Sequence, residues 1–126
     1  MQFNNDFQYD LKVGRLAEKN LDKLLSSKKI EVKLDRWCQI TGNIAVEFAN
    51  KGKPSGIAKT SADYWCFVVE IKGNQDLMVM VDTDKLRKSC RLHWELGHVK
   101  LMGDNNQSEA VLIPVRELIP TLIKVS

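Results

Sequence analysis

A chain of 126 residues is long enough to bury one hydrophobic core and too short for two independent ones. Hydrophobic residues make up 44% of it and charged residues 28%, a composition that excludes an intrinsically disordered chain. The formal net charge of +3 is mild, but residues 51–59 and 85–91 concentrate lysine and arginine, and such stretches attract anions such as nucleic acid.

The same composition gives expectations about the compartment. No apolar run approaches the roughly 20 residues that a membrane helix needs, and the first ten residues have neither the basic patch nor the apolar core of a signal peptide. We therefore expect no membrane association and a cytoplasmic location. The cysteines Cys38, Cys66 and Cys90 are widely spaced and odd in number, so the sequence predicts no disulfide framework and no zinc knuckle.

The first predicted element is a helix from about Leu11 to Leu25, because its leucines recur near helical spacing and strong helix formers fill the gaps. Asp10 is the expected cap. Glu18 falls at the edge of the apolar stripe, from which its carboxylate can reach a neighbouring strand.

Strand patterns follow. "KKIEVKLDRW" alternates with period two, "TGN" is turn-like, and "IAVEFA" is a second run, which predicts two antiparallel strands. After a loop rich in Gly, Pro and Ser, "ADYWCFVVEI" predicts a mostly buried strand with Trp65 in the core, and "LMVMVD" predicts another strand.

The remaining pattern completes the fold class. "TDKLRKSCR" predicts a short helix with Thr83 as its cap, and "AVLIPVREL" predicts a last strand that runs into a short C-terminal helix. The sequence therefore predicts an α/β or α+β domain with a central mixed β-sheet.

Charged residues on one strand are the first candidates for chemistry. With a period of two, Glu31, Lys33 and Asp35 share one side of the strand, and the apolar residues between them share the other. If the apolar side faces the core, the charged side faces solvent or a cleft. Glu47 is the single acid in the next, otherwise apolar run, and a charge in such a run is rarely buried unless it is paired or binds a metal.

Carboxylates that converge repel one another unless a cation lies between them, which is how oxygen-ligand sites for Mg²⁺ or Mn²⁺ are built. A lysine beside them can orient a water or stabilise charge on a phosphate. The pattern suits metal-assisted phosphodiester hydrolysis. A solvated strand face, on which acids and lysines form cross-strand pairs, is the alternative.

Several segments carry a resemblance to a known family. "GRLAE", "IEVKLD", "TGNIAVEF" and "GKPSGIAKTSADYW" resemble the small phage-type and prophage-type nucleases of the PD-(D/E)XK superfamily, near the Holliday-junction resolvase-like proteins, over roughly residues 9–90. The resemblance implies one domain over residues 1–126 with a restriction-endonuclease-like fold, a central mixed β-sheet flanked by helices. It implies Mg²⁺-dependent or Mn²⁺-dependent cleavage of DNA, with branched DNA as a candidate substrate, in the host cytoplasm if the chain is phage-encoded.

The resemblance also assigns residues. Glu18 matches the helical acid of the superfamily, and Glu31 with Lys33 matches its acid-x-Lys element. The strand Asp that usually precedes this element has no counterpart, because only "SSKK" separates the helix from "IEVK". Asp35 and Glu47 are the candidates to supply the missing carboxylates.

Two alternatives remain open. An alignment through "DYWCFVVEIK" would use Asp63 as the strand acid and Glu70 with Lys72 as the triplet. Alternatively the pattern is degenerate, and the chain is an inactive nucleic-acid-binding or protein-interaction domain with a nuclease-like fold.

The loop after the second strand and one tryptophan are candidates for holding DNA. Glycines there let the backbone approach a ligand, lysines supply charge, and hydroxyls supply donors; a flexible basic loop is the plainer interpretation. The candidates are Lys51, Lys53, Ser55, Lys59, Thr60 and, for stacking on a base, Trp37. His93 and His98 fit no zinc signature and are interpreted as structural or surface residues. If the substrate is a four-way junction, a symmetric homodimer is expected.

Overall fold

The computed structural model of the protein describes residues 7–123, and the chain divides into two compact units. The described part of the first unit is helix α1 (Phe7–Leu25) with the turn that follows it, and the second unit spans Lys29–Ile123. Helix α1 starts four residues earlier than predicted, so Asp10 lies in its first turn, where a carboxylate complements the helix dipole. No residue of α1 is fully buried. That residues 1–126 form one domain stays a prediction.

The second unit contains seven strands and two helices in its described part. In chain order they are β1 (Ile30–Asp35), α2 (Cys38–Thr41), β2 (Asn43–Asn50), β3 (Lys53–Pro54), β4 (Tyr64–Ile71), β5 (Asn74–Asp82), α3 (Thr83–Glu95), β6 (Val99–Met102) and β7 (Ser108–Pro114). Short 3-10 helices occupy Gly56–Ala58, Asp104–Asn106 and Val115–Thr121. Among residues 7–123, no helix has both the length and the apolar character needed to cross a membrane.

The strands form two sheets. The first has the order β1-β4-β5 and is mixed, because β1 and β4 run parallel and β4 and β5 antiparallel. The second has the order β3-β2-β7-β6 and is antiparallel throughout. The predicted α/β class is therefore confirmed, whereas the strands are shared between two sheets instead of one central mixed sheet.

The predicted antiparallel pairing of β1 with β2 is wrong. Strand β1 pairs with β4, and β2 pairs with β3 and β7. Between β1 and β2 the chain forms the single helical turn α2, whose first amides donate to the Asp35 carboxylate and which ends at Gly42 with φ +73°. This turn redirects the chain, so the second run leaves the first sheet and enters the other.

The charged side of β1 faces the same way as the side of β4 whose aromatic residues are in the core. In the β1–β4 register Glu31 lies beside Trp65 and Lys33 beside Phe67, and both aromatic rings are buried. The apolar side of β1 is exposed instead, with 62% of Val32 accessible. The condition that the apolar side faces the core is therefore not met. Strand β1 is the edge of its sheet, so its charged side chains lie at the rim of the core.

The core of the second unit lies between the two sheets and α3. Trp65 is 1% exposed, which confirms its predicted core position. The largest fully buried side chains are Trp65, Phe67, Ile44, Leu86, Ile113, Leu118, Val46, Val81 and Val111.

Helix α3 and the segments after it differ in detail from the prediction. Asp82, and not Thr83, caps α3, because its carboxylate accepts from the backbone N–H of Lys85. The predicted last strand is β7, and the short helix after it is the 3-10 helix from Val115. Strand β6 was not predicted, since its four residues are too few for a clear alternation.

Candidate functional site

A cleft of about 620 Å³ opens beside the first half of β1. We call it the Glu31 cleft; its lining includes Lys29, Glu31, Gly56, Lys59, Thr60 and Ser61. It joins two segments that the sequence separately marked, the acid-x-Lys strand and the glycine-lysine loop. Lys29 precedes the strand and Asp63 follows the loop. The Asp63 carboxylate accepts from the N–H of Lys29 at 2.9 Å and so links the two segments, although the two residues are 34 positions apart.

Glu31 and Lys33 form an ion pair, with 3.3 Å between the Lys33 Nζ and a Glu31 carboxylate oxygen. The same ammonium lies 5.6 Å from the centre of the Trp65 ring, within range of a cation-π contact. Both charged side chains stay more than a third exposed, so the pair adds little to stability. The ring and the carboxylate hold the ammonium beside Glu31, which lines the cleft.

The loop is pressed against Glu47. A Cβ at Gly56 would lie 2.1 Å from the Glu47 carbonyl oxygen, and Gly56 has φ +50°, so the position requires glycine. The Ser55 hydroxyl donates to the Glu47 carboxylate at 3.0 Å. The Glu47 carboxylate is therefore held on the loop that lines the Glu31 cleft.

Asp35 lies at the far end of β1. It follows Glu31 by four positions of extended strand, a distance of about 13 Å along the backbone. Its carboxylate accepts from the N–H groups of Trp37 at 3.0 Å, Cys38 at 2.8 Å and, more weakly, Ala45 at 3.4 Å. The side chain joins β1 to α2 and β2, so the geometry gives Asp35 a structural role and separates it from Glu31.

Trp37 belongs to a different cleft. It is 66% exposed and lines a cleft of about 320 Å³ with Asp35, Arg36 and Lys100. Burial raises the pKa of the nearby Cys38 thiol, and the Asp35 carboxylate adds to that rise. Trp37 can stack on a planar group there, but it does not line the Glu31 cleft.

Of the other predicted DNA contacts, only some line the Glu31 cleft. Lys59 and Thr60 line the Glu31 cleft, whereas Ser55 is engaged with Glu47. Lys51 and Lys53 are exposed on the β2–β3 hairpin, where Lys51 and Gly52 both have positive φ, as a type I′ turn requires.

The remaining candidates are not gathered at this cleft. Glu18 lies on α1 in the first unit, and its part in the site stays a prediction. Asp63 and Glu70 lie at opposite ends of the extended β4, about 23 Å apart along the backbone, and Lys72 is in the turn beyond. The geometry does not bring that alternative triplet together.

Sequence reasoning missed Lys29 and Ser61 as lining residues, because neither belongs to a motif. It also missed that the rings of His93 and His98 touch, with 3.0 Å between their Nδ1 atoms. Within residues 7–123, no group of three or more His, Cys, Asp or Glu side chains has the arrangement of a metal site.

Comparisons with known proteins give no relative. The chain matches no protein-family model, no curated protein and no solved structure.

Proposed function

We propose that the protein is a metal-dependent endonuclease that hydrolyses phosphodiester bonds of DNA at the Glu31 cleft. The supporting observation is that this cleft is lined by Glu31, whose carboxylate pairs with Lys33, together with Lys59, Thr60 and the close-packed Gly56. A carboxylate, cations and an accessible backbone at one cleft are the groups that phosphodiester chemistry uses. The resemblance to PD-(D/E)XK nucleases supports the same assignment.

The donor set suits a hard divalent cation. Glu31 lines the cleft, and Glu47 lies against Gly56 of the loop that lines it. Each carboxylate has one oxygen without a partner among the described residues. Mg²⁺ is commonly held by one or two carboxylates, with water and substrate oxygens completing its shell. Glu31 and Glu47 would therefore hold Mg²⁺ or Mn²⁺, which supplies charge neutralisation at the scissile phosphate when bound.

The cations of the cleft have separate tasks. The Lys33 ammonium, held between the Glu31 carboxylate and the Trp65 ring, would orient the attacking water or stabilise charge that develops on the phosphate. Lys29 and Lys59 would neutralise backbone phosphates on either side. Gly56 lets the loop that carries Lys59 and Thr60 pack against Glu47.

The test uses labelled linear, flapped and four-way-junction DNA with Mg²⁺, Mn²⁺ or chelator. We expect metal-dependent cleavage that Lys33→Gln and Glu31→Gln each reduce by at least about 100-fold, the order of effect of one transition-state contact. Lys72→Gln removes one lysine outside the cleft and should retain cleavage. Full activity in Lys33→Gln would refute the assignment, and circular dichroism of each variant separates lost chemistry from lost folding.

A second candidate has its own supporting observation. The Asp35 carboxylate is engaged by backbone donors and lies far from Glu31, so the cleft lacks a third strand acid. We therefore also consider a domain that binds nucleic acid at the Glu31 cleft without cutting it. It predicts binding that weakens steeply with salt, needs no divalent metal and persists in Glu31→Gln. Loss of binding on chelation would argue against it.

A further inference from the structure

A second cleft, of about 700 Å³, lies between α3 and the C-terminal 3-10 helix, and its wall includes the apolar Leu92 and Ile119. We call it the Arg116 cleft; its lining includes Lys85, Lys88, Ser89, His93, Arg116 and Glu117. It shares no lining residue with the Glu31 cleft. The function proposed above makes no use of it.

The cations of the Arg116 cleft converge from two elements. Lys85, Lys88 and Ser89 are spaced three and four residues apart on α3 and so share one helix face, and Arg116 comes from the 3-10 helix. Within residues 7–123, the side chains of Lys85, Lys88 and Arg116 form no ion pair. Like charges that share a cleft repel unless an anion lies between them.

The acids around this cleft are already engaged. Glu117, which lines it, pairs its carboxylate with Nε2 of His93 at 2.5 Å. At the start of α3, the Asp82 carboxylate caps the helix, and Asp84 pairs with Arg87. Each of these carboxylates therefore contacts a group other than the charged ends of Lys85, Lys88 and Arg116.

The histidine in the wall is a support and not a base. His93 is 3% exposed, and its ring contacts Glu117 through Nε2 and His98 through Nδ1. With both nitrogens engaged, the ring cannot activate the Ser89 hydroxyl. The contact with Glu117 instead ties the 3-10 helix that carries Arg116 to α3, which fixes the spacing of the cations.

We propose that the Arg116 cleft is a phosphate-binding site. The Arg116 guanidinium can grip two phosphate oxygens, the lysines add charge, and the Ser89 hydroxyl adds a donor. The ligand chemistry is a phosphate monoester or diester. It is supplied either by a small phosphate-bearing molecule or by a nucleic-acid backbone.

The test follows backbone amide signals by NMR while the intact protein is titrated with inorganic phosphate or with a single-stranded oligonucleotide. Sodium chloride at matched ionic strength is the control titration. The readout is local, through the amides of Ser89, Arg116 and their neighbours, so it does not depend on binding at the Glu31 cleft. Arg116→Gln and Lys88→Gln are compared with Lys72→Gln, which also removes one positive charge but lies outside both clefts.

We expect saturable shifts at Ser89 and Arg116, and about tenfold weaker binding in Arg116→Gln with Lys72→Gln unchanged. Shifts with both probes support a site that accepts free phosphate. Shifts with the oligonucleotide alone support a site for the nucleic-acid backbone. Shifts no larger than those caused by chloride, or equal losses in Arg116→Gln and Lys72→Gln, would overturn the proposal.

Discussion

Thr83 places a hydroxyl in the interior of the second unit, where no described group forms a hydrogen bond with it. An unsatisfied buried hydroxyl costs about 1–3 kcal/mol, and α3 does not need it, because Asp82 provides the cap. We expect Thr83→Val to raise the free energy of unfolding by about 1 kcal/mol, measured by urea titration. A less stable variant would mean that the hydroxyl has a partner, such as a buried water.

Substitutions at Asp35 distinguish a structural role of its carboxylate from a role in catalysis. Asp35→Ala removes the acceptor for the amides of Trp37 and Cys38 and should lower the free energy of unfolding by about 2 kcal/mol. Asp35→Asn keeps one acceptor oxygen, so we expect a smaller loss of stability and retained nuclease activity. An Asp35→Asn variant that is as stable as wild type but inactive would place Asp35 back among the metal ligands.

At the scale of elements, the loop from Ser55 to Thr60 depends on its close approach to β2. Gly56→Ala adds a Cβ that meets the Glu47 backbone at a positive φ, so we expect a loss of about 3 kcal/mol in unfolding free energy and weaker DNA binding. Gly73→Ala is the matched control, because Gly73 also has positive φ but open space around it. It should cost about 1 kcal/mol and leave binding unchanged. Equal losses in both variants would contradict a role for the close contact.

Strand β1 illustrates how much of an element is predictable. The period of two correctly predicted a strand and which side chains share a side. It could not tell which side faces the core, because that depends on pairing with β4, more than 30 residues later in the chain, and on the edge position of β1. Helix α2 was missed for a local reason, since four residues give no helical period.

The candidate site could likewise be predicted only in part from the sequence. Residue types and spacing singled out Glu31, Lys59 and Thr60 from the sequence alone. Their meeting at one cleft, and the separation of Asp35 from it, follow from long-range contacts such as the one between Lys29 and Asp63. Sequence patterns select chemically capable residues, but only the tertiary fold decides which of them become neighbours.

At the scale of the whole molecule, the three cysteines lie in the interior as thiols. Burial raises the pKa of Cys38 and Cys66 above the ordinary value, and it raises the pKa of Cys90 to about 12, against a small opposing effect of Arg87. In the unfolded chain each thiol has the ordinary cysteine pKa of about 8.5. Native thiols should therefore react slowly with thiol reagents near pH 8, and rapidly once the chain unfolds.

The Cys90 shift also determines how stability depends on pH. Between about pH 9 and 12 the unfolded chain has lost the Cys90 proton while the folded chain retains it, so unfolding releases a proton and stability falls as pH rises. The fall in unfolding free energy due to Cys90 approaches about 1.4 kcal/mol per pH unit in this range, and there is no such fall below about pH 8. Lysines titrate in the same range, so the measurement is the difference between wild type and Cys90→Ala in urea titrations from pH 7 to 10.5. The small cavity in Cys90→Ala lowers the unfolding free energy by the same amount at every pH. The excess stability of wild type over this variant should therefore shrink above pH 9. A difference independent of pH would mean that the thiol reaches solvent in the native state.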